Sequence, residues 1–283
     1  MPRGVYDRKA VKSNKNVLDK AMNISNVRLV ETDEQIIAKL SERFEVLGDM
    51  TQAAIDGDVR ALIVSGPAGL GKSHDVETIL SKNNISEDNI VKGYIKATGL
   101  FKLLYQHRNK GDILVLDDAD SVFFDDISLS FLKAVLDTND RRTVSYLSEG
   151  ILIDDETSER LPKSFKFDGT IIFITNLDFD DMIIRGHKLA PHLQALVSRA
   201  HYISLEMKTV RDYLIRIRMK MDEGILNNIL FNPNDQKDVM NFIEENHTNL
   251  RELSLRMTLK IATIRRKGGN WKKMARVTCC RPS

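Results

Sequence analysis

From Asp33 to about Ile55 the apolar residues Ile36, Leu40, Phe44, Leu47 and Met50 recur at steps of three and four, which puts them on one face of a helix. The run Ala61-Leu62-Ile63-Val64-Ser65 then turns continuously apolar, as a strand buried on both faces does. The alternation continues with a helix from Gly71, a strand over Ile90 to Ile95, a helix over Leu100 to His107 and a strand at Ile113-Leu114-Val115-Leu116. A helix over Ile127 to Leu136, a strand over Ile171 to Thr175 and a short strand over His201 to Leu205 complete it. Apolar strands separated by helices predict a parallel sheet between two helical layers. Such a sheet takes ligands beyond the carboxyl ends of its strands. After Leu205 the period is helical only, over 209–223, 235–246 and 249–264, so a small all-helical domain follows an α/β domain that ends near Met207.

Composition narrows the class. A hydrophobic share of 42% with 15 Gly and 6 Pro excludes a collagenous, low-complexity or disordered chain. No stretch free of Asp, Glu, Lys and Arg is longer than Ala61 to Gly71, too short for the roughly 18 apolar residues of a membrane span. Pro2 to Asp7 is polar and carries no secretory leader pattern. Cys279 and Cys280 are adjacent and cannot staple a fold, which fits a reducing cytoplasm. The net charge of +2 conceals a division: residues 1–30 hold seven Lys/Arg against Asp7 and Asp19, and residues 251–283 hold ten against Glu252. Between them 25 basic residues face 37 acidic ones. Basic ends on an acidic body are either solvated or suited to phosphate, since clustered cations bind nucleic acid by releasing counterions.

Three strand ends carry candidate chemistry. Gly66-Pro67-Ala68-Gly69-Leu70-Gly71-Lys72-Ser73 follows one buried strand and opens a helix, as G-x-x-x-x-G-K-[ST] phosphate loops do. Its glycines let backbone N–H groups wrap a phosphate chain, Lys72 adds a cation, and the Ser73 hydroxyl suits Mg²⁺. The strand ending Leu116-Asp117-Asp118 brings two carboxylates to the same edge, the first to hold Mg²⁺ through its water shell and the second to polarise an attacking water. Asn176 ends a third strand, where a neutral amide can bond the γ-phosphate or orient that water.

Together these residues resemble the AAA+ ATPases over roughly residues 30 to 265. Gly66 to Ser73 are similar to their Walker A, Leu114 to Asp118 to Walker B, and Thr175-Asn176 to sensor 1. Leu196-Val197-Ser198-Arg199 resembles the arginine-finger segment, and Asn249-Leu250-Arg251-Glu252-Leu253 resembles sensor 2 at the start of a lid helix. The resemblance implies a three-layer αβα P-loop core with a helical lid, ATP and Mg²⁺ as cofactors, and hydrolysis. It implies Asp118 and Asn176 at the water, Arg199 acting in trans on a neighbouring subunit and Arg251 acting in cis. A finger in trans implies a homo-oligomeric ring or spiral, most often a hexamer. The domains expected are a basic extension over 1–30, the nucleotide-binding domain over 31–207, the lid over 208–265 and a basic tail over 266–283. The family's usual second Walker B carboxylate is Glu, whereas Asp118 stands here; Asp120 is the fallback base.

Two substrates stay open, DNA handled by a translocase or helicase loader, and a polypeptide handled by a remodeller. A nucleotide-dependent assembly switch with little turnover is a third reading. In one branch of the family a hairpin placed like 141–167 enters a central pore, but the acidic residues Asp154, Asp155, Glu156 and Glu159 disfavour a grip on phosphates. Lys96 or Phe101 occupies the first pore-loop position, and Arg141 and Arg142 are candidate inter-subunit cations. Ile113 to Phe123 and Phe165 to Asn176 are similar in style to small ATPases carried by bacteriophages, which would place the chain in a bacterial host's cytoplasm.

Overall fold

The computed structural model describes residues 31–147, 150–153 and 158–282. The chain divides into two compact units, Met1–Ile36 and Ile37–Ser283, and all that follows lies in the second apart from the first turn of α1. Helix α1, Asp33–Asp56, turns Leu40, Leu47 and Ala54 inward at the helical spacing the pattern predicts. Five strands form one parallel sheet: β1 Ala61–Ser65, β2 Ile90–Lys92, β3 Ile113–Asp117, β6 Thr170–Thr175 and β7 His201–Ser204, in the spatial order β2-β3-β6-β1-β7. Register aligns Ser65 with Thr175 and Ser204, and Asp117 with Ile174, so these strand ends share one edge of the sheet. Strand β2 stops at Lys92, shorter than the apolar run to Ile95 suggests, because the chain turns at Gly93 with φ +95°. Ile95 then packs in the core.

Helices α2 Lys72–Lys82, α3 Ala97–Gln106, α4 Asp126–Val135, α5 Phe179–Ile184 and α6 Ala190–Val197 link the strands. Two apolar clusters follow, one holding Leu114, Phe123, Phe173 and Leu193, the other Leu62, Val76, Val115 and Ile172. Alternate residues of one strand thus feed different clusters, as a sheet covered on both faces requires. The core is therefore a three-layer αβα sandwich around a parallel sheet.

Strands β4 Thr143–Ser145 and β5 Ser164–Lys166 pair antiparallel, as the short alternating runs suggest. Of their inward residues, Phe165 joins Phe101, Phe131 and Tyr146 in an aromatic group, and Val144 packs in the same apolar cluster. Phe101 is 1% exposed, so it is a core residue and not one facing a threaded polymer. Arg142 is likewise buried, donates to the Val135 carbonyl at 3.1 Å and lies over the Phe167 ring, which removes it as an inter-subunit cation. Asp154, Asp155 and Glu156 lie outside the described residues.

The helical part comprises α7 Val210–Asp222, α8 Pro233–Asn246, α9 Leu255–Arg266 and α10 Trp271–Cys279 around their own cluster. A reciprocal capping box between Thr209 and Asp212 sets the start of α7. The segment expected as a basic tail instead contains α10, whose Trp271, Ala275 and Cys279 recur at steps of four and are buried. Charge composition concealed that stripe. Both cysteines are free and buried. Among the described residues no helix is long and apolar enough to cross a membrane.

Candidate active site

The loop Gly66–Gly71 leaves β1 and delivers Lys72 into the first turn of α2. Two of its glycines are required by geometry. Gly66 has φ +155° and a side chain there would meet the Leu205 backbone oxygen at 3.1 Å; Gly69 has φ +74° and would meet Ser254 Cβ at 2.7 Å. The second contact brings the lid against the loop, and the Leu255 N–H donates to the Gly69 carbonyl at 2.8 Å.

Lys72 is only 4% exposed, and its ammonium donates to Gly66 O at 2.6 Å, Pro67 O at 2.9 Å and Asn176 Oδ1 at 2.9 Å. Burial lowers its pKa to about 8, against the carboxylates of Asp118, Asp117 and Asp120, which pull it back up. Asn176 in turn donates from Nδ2 to Asp118 Oδ1 at 2.6 Å. One neutral amide thus spans the Lys72 ammonium and the Asp118 carboxylate.

Asp118 is exposed to the cleft and has φ +52°, a left-handed conformation uncommon for a residue with a side chain. Asp120 is placed differently. It accepts from Thr175 Oγ1 at 2.6 Å, and burial raises its pKa. It therefore braces the strand end that carries Asn176 and does not line the cleft.

Ser73 Oγ donates to Asp117 Oδ1 at 2.9 Å, and Asp117 Oδ2 pairs with Lys92 at 3.1 Å. A hydroxyl beside a buried carboxylate fits Mg²⁺, which is held by one or two protein oxygens together with substrate phosphate and water. Bound there, the ion would neutralise phosphate charge, and Lys92 places a further cation against the same carboxylate.

The cleft beside these groups measures about 730 Å³ and is closed on the lid side by Lys220, Ile225, Ile229, Leu255, Arg256 and Leu259. Arg256 faces it and Arg251 does not. The expected helix over 249–264 begins only at Leu255, capped by Ser254 Oγ, which accepts from Met257 N at 3.1 Å. The preceding residues are held elsewhere: Leu250 bridges Cys280, and Arg251 N donates to Cys279 O at 2.9 Å. Arg251 therefore sits at the far end of α10, and Arg256, whose charge acts on Lys72, is the lid arginine of the cleft. The pattern Ser-x-Arg at a capped helix start was the overlooked signal.

A second residue escaped sequence reasoning. Arg216 of α7 is 1% exposed, pairs with Asp75 of α2 at 3.1 Å and lies over the Phe44 ring at 3.3 Å. Lys220 reaches the other Asp75 oxygen at 3.1 Å, so the lid's first helix is tied ionically to the helix of the phosphate loop. Arg199 stands apart: it is exposed after α6 and donates to Ala195 O at 2.7 Å.

The fold and cleft define a three-layer αβα core with the glycine-rich loop Gly66–Gly71 and the Asp118 and Asn176 strand ends at the cleft. The chain is 35% identical over 254 residues to the uncharacterized 36.7 kDa protein of the nrdC-mobD intergenic region of Enterobacteria phage T4, covering 87% of this chain and 76% of that one. It belongs to the same family as that phage protein. No family profile matches it. Among solved structures, a mutant of RuvB from Thermotoga maritima superposes with a TM-score of 0.46 at 13% identity, over 85% of this chain and 68% of that one. NtrX from Brucella abortus, solved with ATP, gives 0.43 at 13% identity over 92% of this chain, which spans 59% of the NtrX length.

Proposed function

We propose that the protein is an ATP-hydrolysing AAA+ motor, active as a homo-oligomeric ring or spiral and acting on DNA. The observation that carries the ATPase reading is the chain Lys72–Asn176–Asp118 at the mouth of a cleft closed by Arg256. In it Lys72 and the loop N–H groups take the phosphates, and Ser73 and Asp117 take Mg²⁺. Asp118 polarises a water whose oxygen bonds the γ-phosphorus as the bond to the bridging oxygen breaks, giving ADP and phosphate. Asn176 reports phosphate occupancy to Asp118, because both ends of its amide are engaged.

Arg199 supports the oligomer: it is exposed, lies outside its own cleft, and a guanidinium supplied by a neighbour can neutralise transition-state charge. The lid is the moving part, held to the loop through Leu255–Gly69 and Arg216–Asp75. The DNA reading rests on the basic ends; burial of Phe101 weakens the polypeptide-threading alternative. A switch with little turnover is the reading favoured if the shorter Asp118 cannot reach the water.

One panel tests all of this: phosphate release from ATP by the parent and by Asp118→Asn, with and without single-stranded DNA, duplex DNA and a loosely folded protein. Turnover that is stimulated by DNA and lost in Asp118→Asn with ATP still bound is the expected result. Equal rates in both proteins would remove Asp118 as the base.

A further inference from the structure

We propose that Arg251, Lys272, Lys273, Arg276 and Arg281 form a docking surface for the phosphate backbone of a nucleic acid, outside the lining of the nucleotide cleft. The proposal rests on the DNA-acting part of the reading above and is independent of ATP hydrolysis.

From Leu253 to Ser283 the chain contains nine Lys/Arg and no Asp or Glu. Among the described residues only Arg265 of these nine makes an ion pair, with Asp235 at 2.6 Å and Asp238 at 3.0 Å. The other cations of α10 and its flanks are exposed. Burial of Trp271, Ala275 and Cys279 fixes the rotation of α10 and turns Lys272, Lys273 and Arg276 outward.

Their positions are unfavourable for the helix itself. Lys272 and Lys273 occupy the first turn, where the helix dipole repels cations, and Lys272 stands four residues from Arg276, where like charges repel. No carboxylate in the described structure relieves them. A polyanion would.

The arginines are gathered by backbone pairing. The Leu250–Cys280 bridge, with Arg251 N on Cys279 O at 2.9 Å and Arg281 N on Asn249 O at 2.8 Å, sets two chain segments side by side. This sets Arg251 opposite Cys279 and Arg281 opposite Asn249, so the two arginines flank the bridge at the end of α10, and the charges of Arg251 and Arg276 both reach the Cys280 thiol. Guanidinium groups engage phosphate oxygens in pairs, so grouped arginines suit a chain of phosphates. A lipid surface fits less well, because the apolar face of α10 is spent inside the protein and Met274 and Val277 are its exposed large hydrophobics.

The test measures anisotropy of labelled single-stranded and duplex oligonucleotides with the full chain, from about 50 to 200 mM salt. The comparison is with Lys272→Glu/Lys273→Glu/Arg276→Glu and with Arg276→Glu/Arg281→Glu, the second guarding against misfolding of the first. The triple variant should bind at least tenfold more weakly, with a log–log salt slope smaller by about two, since each lost contact removes roughly 0.7 to 0.9. The form of DNA held more tightly by the parent identifies the natural ligand.

Parental affinity and slope in both variants would overturn the proposal, as would a parent that binds neither DNA, or one that binds phosphatidylglycerol vesicles or polyglutamate as tightly. ATPase without DNA, measured on the same samples, separates the two readings. Unchanged DNA binding with intact ATPase sinks the surface alone; lost DNA binding in the variants of a parent without ATPase sinks the ATPase reading alone.

Discussion

The protein keeps two populations of cations that obey opposite rules. Lys72 and Arg216 are buried, and each is held by named oxygens: three on Lys72, the Asp75 carboxylate on Arg216. Arg251, Lys272 and Arg276 are exposed and lack ion pairs among the described residues. In a low-dielectric interior a charge is tolerated only with its partners, so the first group is part of the structure and its loss is felt by the fold or the cleft. In water a charge needs no partner, so the second group is free to serve a ligand. Position, not residue type, separates a structural cation from an available one.

The sharpest way to break this comparison is at Lys72. Lys72→Ala should lower ATP affinity at least about 100-fold by calorimetry, since charge-assisted hydrogen bonds contribute about 1.5 to 3 kcal/mol each. Unchanged affinity would remove Gly66–Ser73 as a phosphate loop. Next comes the buried pair. Asp75→Ala strands Arg216 and should reduce unfolding free energy by about 3 kcal/mol in urea titrations, whereas Asp75→Ala combined with Arg216→Met should recover much of that loss. Recovery of nothing would mean that packing on Phe44, and not charge, holds Arg216.

A smaller effect separates the two lid arginines. Arg256→Ala should weaken ATP binding about tenfold, as loss of one charged contact does, while Arg251→Ala should leave it within about twofold. The reverse order would restore Arg251 to the cleft.

The pH dependence carries its own sign. Lys72 is charged below about pH 8, so ATP affinity should fall above that value, by up to about tenfold per pH unit. Over the same window, up to the ordinary lysine value of 10.5, the unfolded chain holds a proton the folded one has released, so stability should rise. Opposite trends in calorimetry and urea unfolding are the expected signature. The smallest effect is at Lys272→Ala, which should change stability by no more than about 0.5 kcal/mol.

The sheet was readable because strands covered on both faces are apolar at every position, and β1, β3 and β6 follow such runs closely. The positions of the loop after β1 and of the carboxylates at the end of β3 were readable because they follow from the strands that precede them in sequence. Asn176 was placed by the strand before it. Arg216 was invisible: a cation inside an apolar helical face looks like a break in the pattern until Asp75 and Phe44 are seen around it.

Sequence alone determined what local geometry controls, namely the apolar strands, the turn glycines, the helix faces and the order of the motifs along the chain. Tertiary structure decided which side chains those elements bring together. Whether Arg251 or Arg256 meets the cleft depends on a bridge from Leu250 to Cys280, thirty residues later, which delays α9 until Leu255. The inward turn of Phe101 depends on Phe131 and Phe165, and the burial of the Trp271, Ala275 and Cys279 stripe depends on the apolar cluster that α7, α8 and α9 supply. Periodicity reports the environment of a residue averaged over one element, whereas a contact between elements is a property of the closed chain.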